Sequence, residues 1–262
     1  MITGTDKIAQ AFNEQGYFVA RGLLKPLVKR LTAEFDDIVD RLVASGEEID
    51  ATWEGAANSR LKAKSDKILH THNVQKYSRA WLDAFLDPGL LDVAGACMGS
   101  DNIILHHSKL FQKPAENGSP FPIHQDWPYF PTQNDSMIAG IVHVSEASDE
   151  MGCLRVHPGS HRLGRINDSN GRGSGTSLTD YPIEKAIPVE CEPGDVIFFH
   201  YFTLHGSMPN RSDKTRKTVL FQIYDGEDKI ELGNQHPDER LVLRGRNYKI
   251  SRARAGEPGL AA

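Results

Sequence analysis

The sequence predicts an α+β fold in which a mainly helical first part packs on an antiparallel, strand-rich second part. Up to about Gly99, apolar residues recur at three-to-four spacing; that period places them on one helix face. Beyond Gly99 the apolar residues form short runs separated by Pro, Gly, Asn and Asp, the punctuation of strands and turns. Helices first and sheet later imply segregated layers around one core.

Taken in order, Ile8, Ala11 and Phe12 mark a first helix, and GYFVARGLL, bounded by Gly16 and Gly22, reads as a short strand and turn. Leu27, Val28, Leu31, Phe35, Ile38, Val39 and Leu42 predict a second helix, with Pro26 suited to its first turn. The polar stretch 45–67 has no clear period and reads as loop. Helical patterning returns over Val74 to Met98. The runs NIILHHSKLFQK, SMIAGIVHVS, GCLRVHPG, AIPVECEPG, DVIFFHYF and TVLFQIYD then have the spacing of an antiparallel sandwich or barrel. The Gly-, Ser- and Asn-rich tract 163–180 is an excursion from that sheet, equally a substrate lid or an idle insertion. The chain divides as one domain over 1–262: helical support over 1–99, a sheet core over 100–230 with its insertion near 163–180, and a C-terminal extension over 231–262 that frays at its end.

Composition narrows the partners. Thirty-five acidic against 30 basic residues give a net charge of -5, which argues against a nucleic-acid surface, since phosphate binding needs a dense Lys/Arg face. Cys97, Cys153 and Cys191 form no CxxC pair and read as reduced thiols of a cytoplasmic protein. The N-terminal residues lack a basic segment followed by an apolar run, and no stretch approaches a membrane-spanning length; the expectation is a protein neither exported nor anchored. No pattern bears on oligomeric state.

The chemistry begins at FPIHQDWPYF. His124 and Asp126 sit two apart in a context that favours extended backbone; in a strand, residues i and i+2 share a face, so one imidazole and one carboxylate can reach a single ion. A lone HxD is common by chance and reads as well as a satisfied polar pair at a sheet edge. A third ligand candidate, His205, ends the apolar run DVIFFHYFTLH; its separation from Asp126, 205 − 126 = 79 residues, allows a later strand to bring it alongside. Two histidines and one carboxylate form the facial triad of Fe(II) oxygenases, with three positions left for co-substrate and O₂. Zinc hydrolase sites use the same set.

Arg216 lies 216 − 205 = 11 residues past His205, at the entrance to TVLFQIYD. A guanidinium fork binds a carboxylate bidentately and stays ionised, which suits the distal carboxylate of 2-oxoglutarate; flanked by Lys214 and Lys217, Arg216 reads equally as a solvated charge. Ser207, two beyond His205, adds a hydroxyl on the same face if the strand continues.

The order HQDWPYFP, MGCLRVHPGSH, EPGDVIFFHYFTLHGS and an arginine eleven residues past the histidine resembles the phytanoyl-CoA dioxygenase family, over about Ile103 to Asp225. The resemblance implies a double-stranded β-helix (jelly-roll, cupin-like) core, Fe(II) at its mouth, and oxidation of a small-molecule substrate by O₂ coupled to conversion of 2-oxoglutarate to succinate and CO₂. It carries the iron ligands onto His124, Asp126 and His205, the co-substrate arginine onto Arg216 and an assisting hydroxyl onto Ser207. Lys109 falls at a position that contributes to the co-substrate pocket in relatives, although lysine is not the usual residue there; a tryptophan of some relatives aligns with Val142 or His143. Related halogenases replace the carboxylate ligand with a small residue, so Asp126 favours hydroxylation, desaturation or ring closure. Two other classes remain in view: a cupin-like protein using zinc or manganese without a keto acid, and a non-catalytic binding member.

Other conspicuous residues have plainer readings. HPGSH, with His157 and His161 at zinc-like spacing, is a turn because Pro158 and Gly159 break any helical face, and the family resemblance implies a structural corner there. His200 is expected to pack, only one of the consecutive His106 and His107 to face the interior, His70 and His72 to be solvated near the site entrance with a substrate role as the lesser alternative, and Arg155 to make a surface ion pair rather than meet an anionic substrate. Of Trp127, Tyr129 and Phe130, at least one is expected in a pocket wall.

Overall fold

The computed structural model describes residues 4–46, 50–52, 67–116, 118–166 and 177–251. Most of stretch 45–67, the centre of tract 163–180 and the end of the C-terminal extension lie outside the described residues, and with them the lid expected of either tract.

Helix α1 (Gly4–Gln15) leads into strand β1 (Tyr17–Ala20), and α2 (Val28–Ser45) buries Leu31, Phe35, Ile38, Val39 and Leu42 along one stripe. Pro26 lies in the turn before α2 rather than in its first turn. The second helical tract is two helices, α3 (Arg79–Phe85) and α4 (Pro88–Met98), divided where the Asp87 side chain accepts from Leu90 N and Pro88 starts the new helix. Asp and Pro at these positions supply an N-cap and a pre-set φ.

The remaining strands are β2 (Asp50–Thr52), β3 (Lys67–His72), β4 (Ile103–Lys113), β5 (Phe121–His124), β6 (Ile138–His143), β7 (Leu154–Val156), β8 (Ile187–Val189), β9 (Val196–His200), β10 (His205–Ser207), β11 (Arg216–Asp225) and β12 (Leu241–Arg244). They form an eight-stranded sheet, β1-β9-β6-β11-β4-β3-β2 with β12 also on β4, and a four-stranded sheet, β5-β10-β7-β8. The pairings are antiparallel. The large sheet is covered on both faces: Val142, Phe198, Val219 and Phe221 pack on Phe35, Trp81 and Phe85 of the helices, while Ala139, Ile197 and Phe199 pack on Leu154, Val156 and Val189 of the small sheet. Among the described residues no helix is long and apolar enough to cross a membrane, and Cys97, Cys153 and Cys191 are buried free thiols.

Two local departures from regular strand matter. The run from Val196 to His205 is not one strand: β9 stops at His200, Thr203 N turns back to His200 O at 2.7 Å and Thr203 Oγ1 donates to Gly16 O at 2.7 Å, and the chain crosses to the small sheet as β10. On β4, His107 pairs with Gln222 and Leu105 with Ile223, so His106 is an extra residue, a β-bulge. The bulge reverses the alternation: Leu105 packs towards the helices, yet His107, two residues on, faces the cavity between the sheets.

Candidate metal centre and its cavity

Between the sheets opens a cavity with an open mouth. Its floor is made by every second residue of the large sheet: His107, Lys109 and Phe111 on β4, Arg216, Thr218, Leu220 and Gln222 on β11, and Ile141 and His143 on β6. The small sheet adds His124, His205 and Ser207, and Tyr129 and Phe130 close one side.

His124 ends β5 and His205 begins β10, and the two residues pair directly across the antiparallel ladder. Asp126 is not on the strand with His124. It lies just beyond, in a bend anchored by Asp126 N donating to Tyr201 O at 2.9 Å. The turn serves where strand alternation was expected: His124 Nε2 is 3.4 Å and His205 Nε2 3.5 Å from Asp126 Oδ1, and one donor atom from each residue lies within 4.8 Å of the others. Each imidazole is oriented through its other nitrogen, His124 Nδ1 lying 2.7 Å from Pro122 O and His205 Nδ1 2.8 Å from Thr203 O. Gln222 Nε2 donates to Asp126 Oδ2 at 2.6 Å. Backbone carbonyls behind the histidines and an amide behind the carboxylate are contacts of the kind that orient metal ligands, and this donor set could hold a divalent iron.

The electrostatics agree with three converging donors. Burial opposes the charged form of Asp126, but His205, His124 and the Gln222 bond outweigh it and hold the carboxyl below its ordinary range. Burial, with the charge of His124, pushes His205 down to about 4.

At the other end of the cavity Arg216 is 8 % exposed. Its guanidinium donates to Gly152 O, its Nε has no hydrogen-bond partner, and no carboxylate pairs with it among the described residues. Burial lowers its pKa to about 10. Lys113, fully buried, donates to Ser207 Oγ at 2.7 Å and to Met208 O at 2.8 Å, and burial together with the charge of Arg216 holds its pKa well below the usual lysine range. His143, not Val142, is the neighbour of Arg216 that faces the cavity. Lys109 stands opposite Leu220, between Arg216 and Gln222 along the sheet.

Gln222 and Lys113 were not singled out by sequence reasoning; the parity of β11 relative to Arg216 offered a signal for Gln222, six residues on and on the same face. The plainer readings stand for His157 and His161, whose corner ties to α1 through Gly159 N to Gln15 O at 2.7 Å and His161 Nε2 to Asn13 O at 3.0 Å, and for Arg155, paired with Asp149. Tyr129 and Phe130 line the cavity whereas Trp127 is core.

The phytanoyl-CoA dioxygenase (PhyH) family model matches residues 12–218. A probable phytanoyl-CoA dioxygenase of Caenorhabditis elegans is 26% identical, across 95% of this chain and 84% of its own length. A probable alpha-ketoglutarate-dependent hypophosphite dioxygenase of Stutzerimonas stutzeri is 32% identical across 58% of this chain and 56% of its own. Among solved structures, the epimerase SnoN from nogalamycin biosynthesis, in complex with Fe3+, alpha ketoglutarate and nogalamycin RO, superposes with a TM-score of 0.71 at 20% identity, covering 87% of this chain and 86% of that one; at that identity the likeness is one of fold.

Proposed function

The chain belongs to the phytanoyl-CoA dioxygenase family, and we propose from this premise that it is a non-haem Fe(II)- and 2-oxoglutarate-dependent dioxygenase that hydroxylates a small molecule. One observation carries the reading: a buried arginine with no carboxylate partner among the described residues shares a cavity with a His-Asp-His cluster. An uncompensated buried guanidinium is costly, and a dicarboxylic co-substrate supplies what it lacks.

His124, Asp126 and His205 would hold the iron, and Arg216 the distal carboxylate of 2-oxoglutarate, in the bidentate manner a planar fork permits. Ser207 Oγ, already accepting from Lys113, keeps its own proton to donate to the same carboxylate. Lys109 offers its ammonium between the arginine and the metal end. When bound, the metal with 2-oxoglutarate activates O₂ and couples its reduction to release of succinate and CO₂. The protein's part is positional: Gln222 keeps Asp126 from rotating, and Phe199, Leu154 and Leu220 keep the cavity wall apolar. The two facing sheets are read as a double-stranded β-helix, with the ligands on the rim of the smaller one.

Mixing the protein with Fe(II) and 2-oxoglutarate without O₂ should produce a weak visible charge-transfer band. A folded sample that binds the metal but gives no band would overturn the reading and favour a cupin-like protein that does not use the keto acid.

A further inference from the structure

Arg216 does not stand alone at its end of the cavity. Across the antiparallel ladder it pairs directly with Lys113, the last residue of β4. Directly opposed residues of neighbouring strands share a face, so two basic side chains are set side by side where like charges repel. Lys113 is wholly buried. Its amine donates to Ser207 Oγ at 2.7 Å and to Met208 O at 2.8 Å, and lies 5.5 Å from the centre of the Phe121 ring. Its stem fills the space a Cβ on Gly118 would need.

No carboxylate pairs with Lys113 among the described residues. From β11 it meets the charge of Arg216, and from the turn before β7 the Cys153 thiol, which burial pushes up to about 11 and so keeps neutral. β5 presents the Phe121 ring, and the chain from β10 onward presents Ser207, Met208 and the Asn210 amide, none of them charged. The carboxylates of this corner are engaged elsewhere: Asp149 pairs with Arg155, and Glu190 accepts from Asp149 N.

A buried ammonium opposite a guanidinium, with no acid to balance either, is a costly state. Loss of a proton from Lys113 relieves it, and the hydrogen bonds allow that loss: a neutral amine has two hydrogens, and Lys113 makes two donations among the described residues. Burial and the field of Arg216 act in the same direction. Arg216 itself, lowered to about 10, stays charged at neutral pH.

The balance reverses when a dicarboxylate arrives. 2-Oxoglutarate would bring its distal carboxylate to Arg216 and Ser207, beside the buried amine, and supply the negative charge this corner lacks. We propose that Lys113 is a neutral amine in the free protein and takes up a proton from solvent as 2-oxoglutarate binds, which makes it a proton-coupled positioning residue for the co-substrate. It acts through Ser207. An ammonium has no lone pair, so Ser207 Oγ can only accept from it and the hydroxyl proton is turned to the carboxylate; a neutral amine leaves that proton free to point either way. The step forms a third N–H bond at Nζ at the expense of a buffer acid and changes no oxidation state. It rests on the 2-oxoglutarate reading, since a neutral occupant would bring no charge to balance.

The bound state then holds more protons than the free one. Affinity for 2-oxoglutarate must therefore fall as pH rises between the free and bound pKa values, by up to about tenfold per pH unit, and level off on either side. The test is calorimetric titration of 2-oxoglutarate into the anaerobic Fe(II) protein, between about pH 6 and 9, in buffers of different ionisation enthalpy; the dependence of the heat on the buffer counts the protons exchanged. The visible band checks loading.

Wild type is expected to take up roughly half to one proton per site within that range and to bind more weakly as pH rises. Lys113→Met should bind without proton uptake and with an affinity that no longer varies with pH. His143→Phe removes the other neutral base beside Arg216 and should keep both effects. A lysine with a merely structural role would change affinity when replaced but would leave no proton count to lose. In a wild-type sample that shows the band, absence of proton uptake at every pH overturns the proposal, as does uptake that survives Lys113→Met or vanishes in His143→Phe. Should Lys113→Met fail to fold, the counts for wild type and His143→Phe decide: uptake in both supports the proposal, and its absence from either overturns it. If the wild-type protein gives no band, the 2-oxoglutarate reading falls and this inference with it.

Discussion

Gln222 Nε2 donates to Asp126 Oδ2 at 2.6 Å, leaving Oδ1 as the oxygen that faces both His124 and His205. Removing the amide frees the carboxylate to rotate. Gln222→Leu should lower Fe(II) affinity by about 10- to 100-fold, the usual consequence of deleting a contact that orients a ligand, while the protein remains folded; titration with Fe(II) under argon, alongside a melting curve, checks both.

Arg216 and Lys113 make a contrasting pair. Arg216→Ala should raise the 2-oxoglutarate KM by about 100-fold or more, since two charge-assisted hydrogen bonds are lost, with Arg216→Lys recovering part. Lys113→Met removes a buried amine that touches Ser207 and Met208; its effect on KM should be smaller, about tenfold on the same scale, with metal affinity unchanged. Steady-state kinetics over 2-oxoglutarate, and metal titration of each variant, separate the two roles.

The arginine also depends on a glycine. Gly152 has φ +66°, and a Cβ there would lie 2.3 Å from Met208 O, on the residue whose carbonyl accepts from Arg216. Gly152→Ala should therefore both destabilise the fold, by roughly 1–3 kcal/mol, and weaken 2-oxoglutarate. A variant with wild-type melting temperature and KM would count against this account.

Acid should unfold the protein earlier than its carboxylates alone require. Burial, and then the charge of His161, hold His200 down to about 4 against an ordinary 6.5. Because the folded pKa is lowered, the stabilisation is complete above pH 6.5 and is lost as pH falls towards 4; at pH 5 the loss from this group is about 2 kcal/mol at most. His200→Gln keeps an acceptor for Phe202 N and should flatten the stability profile between pH 6.5 and 4, as urea unfolding at stepped pH would reveal.

The helices and the ladder strands were legible because each has a period, and the candidate metal cluster of His124, Asp126 and His205 because HxD and a later histidine keep their order whatever the turn between them. The reasoning for Asp126 was nonetheless incomplete: alternation was expected to align it with His124, and a bend tied to Tyr201 O does so instead. The stacking of His107 on His236 was not legible, since the two are far apart in the sequence and meet only where the segment before β12 folds back beside β4. Lys113 was hidden for a related reason, being a lysine in a position where burial is unexpected.

The bulge at His106 sets the phase of everything that follows it on β4. Leu105 belongs to the helical side, while His107, Lys109, Phe111 and Lys113 lie on the cavity side solely because one residue has been inserted into the strand. Deleting His106 would restore a perfect alternation and in doing so exchange the two faces: chemistry would be turned into the hydrophobic interior, and Leu110 out towards the substrate. The strand thus works like a sentence whose meaning hangs on a single inserted letter, and a chain shorter by that one residue has to choose between keeping its core and keeping its activity.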